Sequence, residues 1–242
     1  MSRFLRLGLP AATLFTLITC EVVTNGPLLR VDERLSRALV HPDRFSEFLA
    51  DLGNAQVAVP VLVVALAYDA WRGRATGRGL WWLPPSAAAL LMALLPAIVL
   101  PLKDWTARPG TPVMPPGTGF FPSGHTATAA IAYGSATLLL LPRLRSPAAR
   151  RALVGCCAAL VLGVSYGLVR RGWHWPLDVV ASWCLSTVLL TALTLVISRS
   201  RHRSSSGTPG SGSVPGSAAT SPGLAGRSGS RGSRTSSTPR SG

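Results

Sequence analysis

Charged residues are scarce in this sequence: Asp, Glu, Lys and Arg make up 14% of its 242 residues, and only 9 of them are acidic. Soluble domains carry about a quarter, so a fully water-facing shell is excluded, and the 48% hydrophobic content points to the membrane class. Cysteine is sparse too. Cys20, Cys156, Cys157 and Cys184 all fall inside apolar runs, with neither metal-ligand spacing nor the paired frame of a secreted disulfide scaffold. They are predicted to be buried small hydrophobes. The net charge is +15, yet a basic face with aromatic or groove-reading elements on a soluble scaffold is missing, so nucleic acid is not an expected partner.

What the sequence does have is long apolar runs. Six are readable: Leu7 to Val23, Leu52 to Ala70, Leu80 to Leu102, Gly124 to Leu141, Ala152 to Val169 and Leu177 to Ile197. Each approaches the ~20 residues that cross a hydrocarbon core. Arg3 and Arg6 before the first run resemble a signal peptide's start, and Leu17-Ile18-Thr19-Cys20 faintly resembles a lipoprotein box. Thr19 is too large for that box and no small-x-small cleavage site follows, so an uncleaved first span is expected. The expected fold class is all-α: a polytopic membrane protein with six transmembrane helices over residues 1–198.

Basic residues without acids fill every second connection: Arg3 and Arg6; Arg72, Arg74 and Arg78; Arg143, Arg145, Arg150 and Arg151; Arg199, Arg201 and Arg203. By the positive-inside rule these connections, and both termini, belong in the cytoplasm, with the protein in the cell membrane and the bilayer as its first partner. The first outer connection, Thr24 to Asp51, balances Arg30, Arg34, Arg37 and Arg44 against Asp32, Glu33, Asp43 and Glu47, and is expected to hold an amphipathic segment on the outer surface. Trp71, Trp81, Trp82, Trp105, Trp173 and Trp175 sit near the expected span ends, where amphipathic rings suit the headgroup layer. Residues 199–242, rich in Ser, Gly, Pro and Arg, cannot form a core and are expected to be a disordered cytoplasmic tail.

In this topology four span ends meet the outer surface. They carry Lys103 and Arg108, Ser123 and His125, Arg170 and Arg171, and His174 and Asp178. Two histidines, several cations and one carboxylate suit an anionic substrate, with phosphate the best fit. In Pro122-Ser123-Gly124-His125, Pro122 sets the entry, Ser123 caps a helix, and Gly124 lets an oxyanion approach the exposed amides. In His174-Trp175-Pro176-Leu177-Asp178, Pro176 suits a first helical turn and Asp178 can reach back to one imidazole nitrogen, leaving the other to attack. Each residue also has a plainer reading. Lys103 alone would be a snorkelling interface anchor, Arg108, Arg170 and Arg171 loop charges, and Asp178 a favourable charge at a helix N-terminus. His41 and His202 have no companion and keep the plain reading.

From Lys103 to Ala181 these residues resemble the type 2 phosphatidic acid phosphatases (PAP2), a family related to the vanadium haloperoxidases, with its helical bundle. The family's pattern is a Lys followed by Arg-Pro, then Pro-Ser-Gly-His, then a Ser-Arg pair followed by His and Asp. Pro122 to His125 and the His174/Asp178 end are intact. The resemblance implies a lipid phosphatase acting through a phosphohistidine. His174 attacks phosphorus, Asp178 orients it and His125 protonates the leaving oxygen. Lys103, an arginine, Ser123 and Gly124 hold the phosphate, and neither metal nor cofactor is required. The implied substrate is an undecaprenyl diphosphate-like carrier, phosphatidic acid or phosphatidylglycerol phosphate.

The sequence departs from the pattern twice. Gly110 stands where the family's first arginine is usual, so Arg108 is the expected substitute. The Ser-Arg pair falls at Gly167 and Leu168; Arg171, three residues on and about 60° around a helix, is the expected replacement, with Arg170 second. The alternative these departures raise is a catalytically silent protein of the same fold that binds lipid phosphates or partners. Haloperoxidase chemistry is disfavoured because those relatives are typically soluble.

Overall fold

The computed structural model describes residues 2–205, with side chains described for 6–199. It is all-helical among those residues. Eight α-helices run in order: α1 (Ser2–Val23), α2 (Leu28–Leu39), α3 (Arg44–Asp51), α4 (Ala55–Ala75), α5 (Leu83–Thr106), α6 (Gly124–Leu140), α7 (Pro147–Arg170) and α8 (Pro176–Ser205). The six apolar runs are α1 and α4 to α8. The first outer connection folds into α2 and α3. Of the expected tail, residues 199–205 continue α8, and 206–242 lie outside the described residues.

Five helices, α1, α4, α5, α7 and α8, are long and apolar enough to cross a membrane. The expectation of six is met in part, because α6 has 17 residues before a short 3-10 turn at Leu141–Arg143. It is the central helix, packed against α4, α5, α7 and α8, and most of its residues are buried. Its Ala, Gly, Ser and Thr content permits this, since small side chains let helices approach closely. At Gly134 a Cβ would stand 2.6 Å from Leu190 Cδ1 of α8. Large apolar side chains instead cover the outside: Leu7, Leu14, Val64, Leu90, Leu100, Val154 and Leu162 are all exposed, as suits helices solvated by lipid tails.

The cysteine expectation needs correcting. Cys184 is buried, but Cys20 and Cys156 are exposed and Cys157 half-buried, because an outward-facing position in such a bundle tolerates a small apolar residue as readily as the interior does. Tryptophan placement also divides. Trp71, Trp82 and Trp105 are exposed near helix ends, whereas Trp175 is buried and donates from Nε1 to the Pro109 carbonyl at 3.0 Å.

α2 is amphipathic, as the sequence predicts. Leu28, Val31, Leu35 and Leu39 form an exposed stripe at helical spacing, while Asp32 and Ser36 face inward. α3 is held by a reciprocal cap: Asp43 Oδ1 accepts the Ser46 amide at 2.6 Å and Ser46 Oγ accepts the Asp43 amide at 3.1 Å. It packs against α7 at Gly167, where a Cβ would lie 2.5 Å from the Ser46 carbonyl oxygen and 2.6 Å from the Ala50 nitrogen.

At the opposite end of α4, buried Asp69 accepts from Arg78 at 3.0 Å and from Arg143 at 2.5 Å. This pairing fastens the α4–α5 connection and the turn after α6 to one carboxylate.

Candidate active site

The end of α5, the starts of α4 and α6, the α5–α6 connection and the turn between α7 and α8 enclose a cavity of about 620 Å³. Its wall includes Asn54, Lys103, Phe120, Gly124, His125, Trp173 and His174. Four predicted residues, Lys103, Gly124, His125 and His174, are therefore brought together, although up to 71 positions separate them in the chain.

Local sequence builds each wall. Pro176 is the first residue of α8, and Asp178 in the first turn reaches back so that His174 Nδ1 lies 3.2 Å from Asp178 Oδ2. Asp178 Oδ2 also accepts the Trp175 amide at 3.2 Å. The imidazole is thus fixed through Nδ1, and Nε2 has no hydrogen-bond partner among the described residues. The α6 N-terminus forms as its motif predicts: Ser123 is the N-cap, its Oγ accepting the Thr126 amide at 3.3 Å and donating to Thr126 Oγ1 at 3.1 Å. Ser123 is fully buried and is not part of the cavity wall. Gly124 is, and a Cβ there would come within 4.0 Å of Lys103 Cε. The Lys103 ammonium donates to the Gly119 carbonyl at 2.9 Å, leaving two of its three protons for a ligand.

His125 Nε2 lies 2.7 Å from Asn54 Oδ1, and Asn54 Nδ2 donates to Asp51 Oδ1 at 3.0 Å. Sequence reasoning missed Asn54. Its local signal is that of a helix N-cap before α4, and nothing in the sequence links it to a histidine 71 residues away.

The predicted arginines lie elsewhere. Arg108 is buried behind Asp178, donating from Nη1 to Asp178 Oδ1 at 2.5 Å and from Nη2 to Asp32 Oδ2 at 2.6 Å, with its guanidinium over the Trp175 ring. Burial pushes the Asp32 carboxyl up from the usual carboxylate range; the bonds from Arg108 and the Leu177 amide oppose that shift. Arg170 pairs with Asp43 at 2.9 Å. Arg171 pairs with Glu47 at 3.4 Å and stacks on Trp173, one side chain removed from the cavity. Among the described residues, Lys103 is the only Lys or Arg on the cavity wall.

The two motif departures have steric counterparts. At Gly110 a Cβ would meet the Phe120 ring at 2.8 Å, and that ring stands edge-on to His174 with centroids 6.1 Å apart. Phe120 therefore fills the space beside Gly110. Gly167 accommodates the α3 backbone, and Leu168 is fully buried in the apolar core.

Comparison with known proteins bears on the fold and the family pattern. Residues 86–202 match the sequence model of the PAP2 superfamily. The chain is similar in fold to a transmembrane PAP2-type phosphatidylglycerolphosphate phosphatase from Bacillus subtilis, with a TM-score of 0.67 and 22% identity over 80% of this chain and 96% of that one. Among proteins with curated descriptions, none matches the chain significantly in sequence. The membrane-length helices and the transmembrane neighbour describe a multi-pass membrane protein with a phosphatase-type fold. Residues 86–202 thus carry the sequence pattern of the PAP2 superfamily, on the fold of a transmembrane PAP2 protein.

Proposed function

We propose that the protein is a lipid phosphatase that cleaves a phosphomonoester or diphosphate through a phosphohistidine. The observation that carries this reading is the cavity in which a carboxylate-tethered imidazole, His174, meets a second histidine, His125, and the ammonium of Lys103. In this mechanism His174 Nε2 attacks phosphorus and the bond to the leaving oxygen breaks. His125 supplies the leaving oxygen's proton from Nδ1, since its Nε2 is turned to Asn54. Water then attacks the phosphorus, giving its proton to His125 as the P–N bond breaks and inorganic phosphate leaves. Lys103 and the amides at the α6 N-terminus hold the phosphate oxygens.

The topology that suits this chemistry has six crossings, with α6 completed by its 3-10 turn, both termini in the cytoplasm and the cavity at the outer headgroup layer. A phosphate at that level is reachable while its tail stays in lipid. An undecaprenyl diphosphate-like carrier, phosphatidic acid and phosphatidylglycerol phosphate all meet this requirement, and the Bacillus neighbour, described as acting on the last, supports the class.

A second reading, a catalytically silent lipid-phosphate binder, has one observation in its favour: Arg108, Arg170 and Arg171 are all committed to carboxylates. Phosphate release by the purified full chain in detergent, from all three lipids and with a chelator present, separates the two. The enzyme reading expects turnover that chelator leaves intact and that His174→Ala and His125→Ala abolish. Turnover surviving in His174→Ala refutes the mechanism, chelator-sensitive turnover refutes metal independence, and an inert wild type that still binds the lipids establishes the silent reading.

A further inference from the structure

The chain of ionic contacts behind His174 does not stop at Asp178. Arg108, from the segment after α5, bridges Asp178 to Asp32 on the inward face of α2. Asp32 Oδ1 also accepts the amide of Leu177, in the first turn of α8, at 2.9 Å. Both Asp32 oxygens are therefore acceptors, the bonding of an ionised carboxylate. The network is dry, with relative exposures of 3% for Asp32, 5% for Arg108 and 0% for Asp178.

Two carboxylates around one guanidinium leave a surplus of one buried negative charge, and Asp178 presents it to the His174 ring. That ring gains positive charge as its Nε2 bonds to phosphorus, so a fixed negative neighbour stabilises the transition state more than the ground state. Were Asp32 neutral, Arg108 would cancel Asp178 and the advantage would vanish. We propose that Asp32 is a positioning residue for the reaction: by sharing the charge of Arg108 it keeps Asp178 both oriented and effectively negative toward His174. This role rests on the histidine-nucleophile reading above. A purely structural network tying α2 to α8 makes a different prediction, because breaking it removes folding rather than turnover.

The test is steady-state kinetics of full-length variants in detergent on whichever lipid phosphate the wild type hydrolyses, with thermal unfolding measured in parallel. Asp32→Asn is expected to lower kcat by about tenfold while KM stays within about twofold, the signature of an interaction made in the transition state. Asp32→Glu, which keeps the charge, is expected to recover most of that loss. The double variant Asp32→Asn with Arg108→Gln removes the cation together with its balancing anion, and is expected to exceed Asp32→Asn alone by at least about threefold, a coupling that independent sites do not show.

A double variant slower than Asp32→Asn, or a loss in KM with kcat intact, overturns the proposal. Should Asp32→Asn not fold, the double variant is compared with wild type directly; kcat within about tenfold supports the charge argument, and a loss as complete as that of His174→Ala overturns it. An inert wild type overturns the reaction and this role together. A wild type that needs His174 but is indifferent to Asp32→Asn overturns the role alone.

Discussion

Replacing Gly167 by alanine sets two effects of known size against each other. Gly167 lies within α7, where exchanging glycine for alanine gains about 1 kcal/mol of helix propensity. Its missing Cβ, however, marks the point where α3 crosses. The added methyl would stand 2.5 Å from the Ser46 carbonyl oxygen, 2.6 Å from the Ala50 nitrogen and 3.0 Å from Leu49 Cβ. Two of these are backbone atoms and cannot rotate away. Overpacking costs about 1–3 kcal/mol, and rigid contacts this close call for the upper end, so the net is a destabilisation of about 2 kcal/mol. For a chain of this size that lowers the unfolding temperature by about 4–8 °C. Gly155 on the same helix is the control, since a Cβ there meets nothing within 4 Å; Gly155→Ala is expected to be neutral or to raise the temperature by up to about 4 °C. The assay is thermal unfolding in detergent at one scan rate, because membrane proteins of this kind often unfold irreversibly. If Gly167→Ala unfolds at or above the wild-type temperature, α3 is not seated on α7 as described, and the steric account of the missing motif serine fails with it.

Asn54→Ala removes the acceptor 2.7 Å from His125 Nε2; a hydrogen bond of about 0.5–1.5 kcal/mol corresponds to a kcat lower by about 2- to 10-fold with little change in melting temperature, read from the same phosphatase assay. Asp69→Ala leaves Arg78 and Arg143 without their shared carboxylate at the far end from the cavity. Because both cations are partly exposed, the expected cost is about 3 kcal/mol, the low end for a broken buried pair, and KM in the surviving folded protein should not move. The backbone amide of Ser46, followed by the bond from Arg170, holds the Asp43 carboxyl down at about 2, against 3.8 ordinarily. A depressed carboxylate stabilises the fold above its unfolded value and loses that contribution as pH falls toward about 2. The gap in unfolding temperature between wild type and Asp43→Asn should therefore be full at pH 5 and narrow steadily between pH 4 and pH 2; a gap independent of pH in that window refutes the capping role.

Much of the site was legible in the sequence because it is local. His174 and Asp178 are four residues apart, so a helix start at Pro176 by itself brings carboxylate to imidazole. Ser123 caps α6 through a residue three positions on. The expected arginine positions fared differently. Helical geometry puts Arg171 three residues on and about 60° around from the missing arginine, yet α7 ends at Arg170 and the chain turns there through Gly172 with φ 71°, which delivers both arginines to Asp43 and Glu47. Arg108 is the substitute that the family resemblance suggests for the missing arginine, whereas its neighbours in space are two carboxylates 70 and 76 residues away.

The apolar helices, the amphipathic connection and the two histidine motifs are legible along the chain, because hydropathy period, capping and i to i+4 reach depend only on sequence neighbours. Which charges face the cavity depends on how the helices pack. Lys103 remains on its wall because α5 ends beside the α6 N-terminus, Arg108 is drawn behind Asp178 by the inward face of α2, and Asn54 reaches His125 because α4 starts beside α6. Those are contacts between elements, and a charge in a dry interior goes to the partner that the packing supplies rather than to the one its place in a motif suggests.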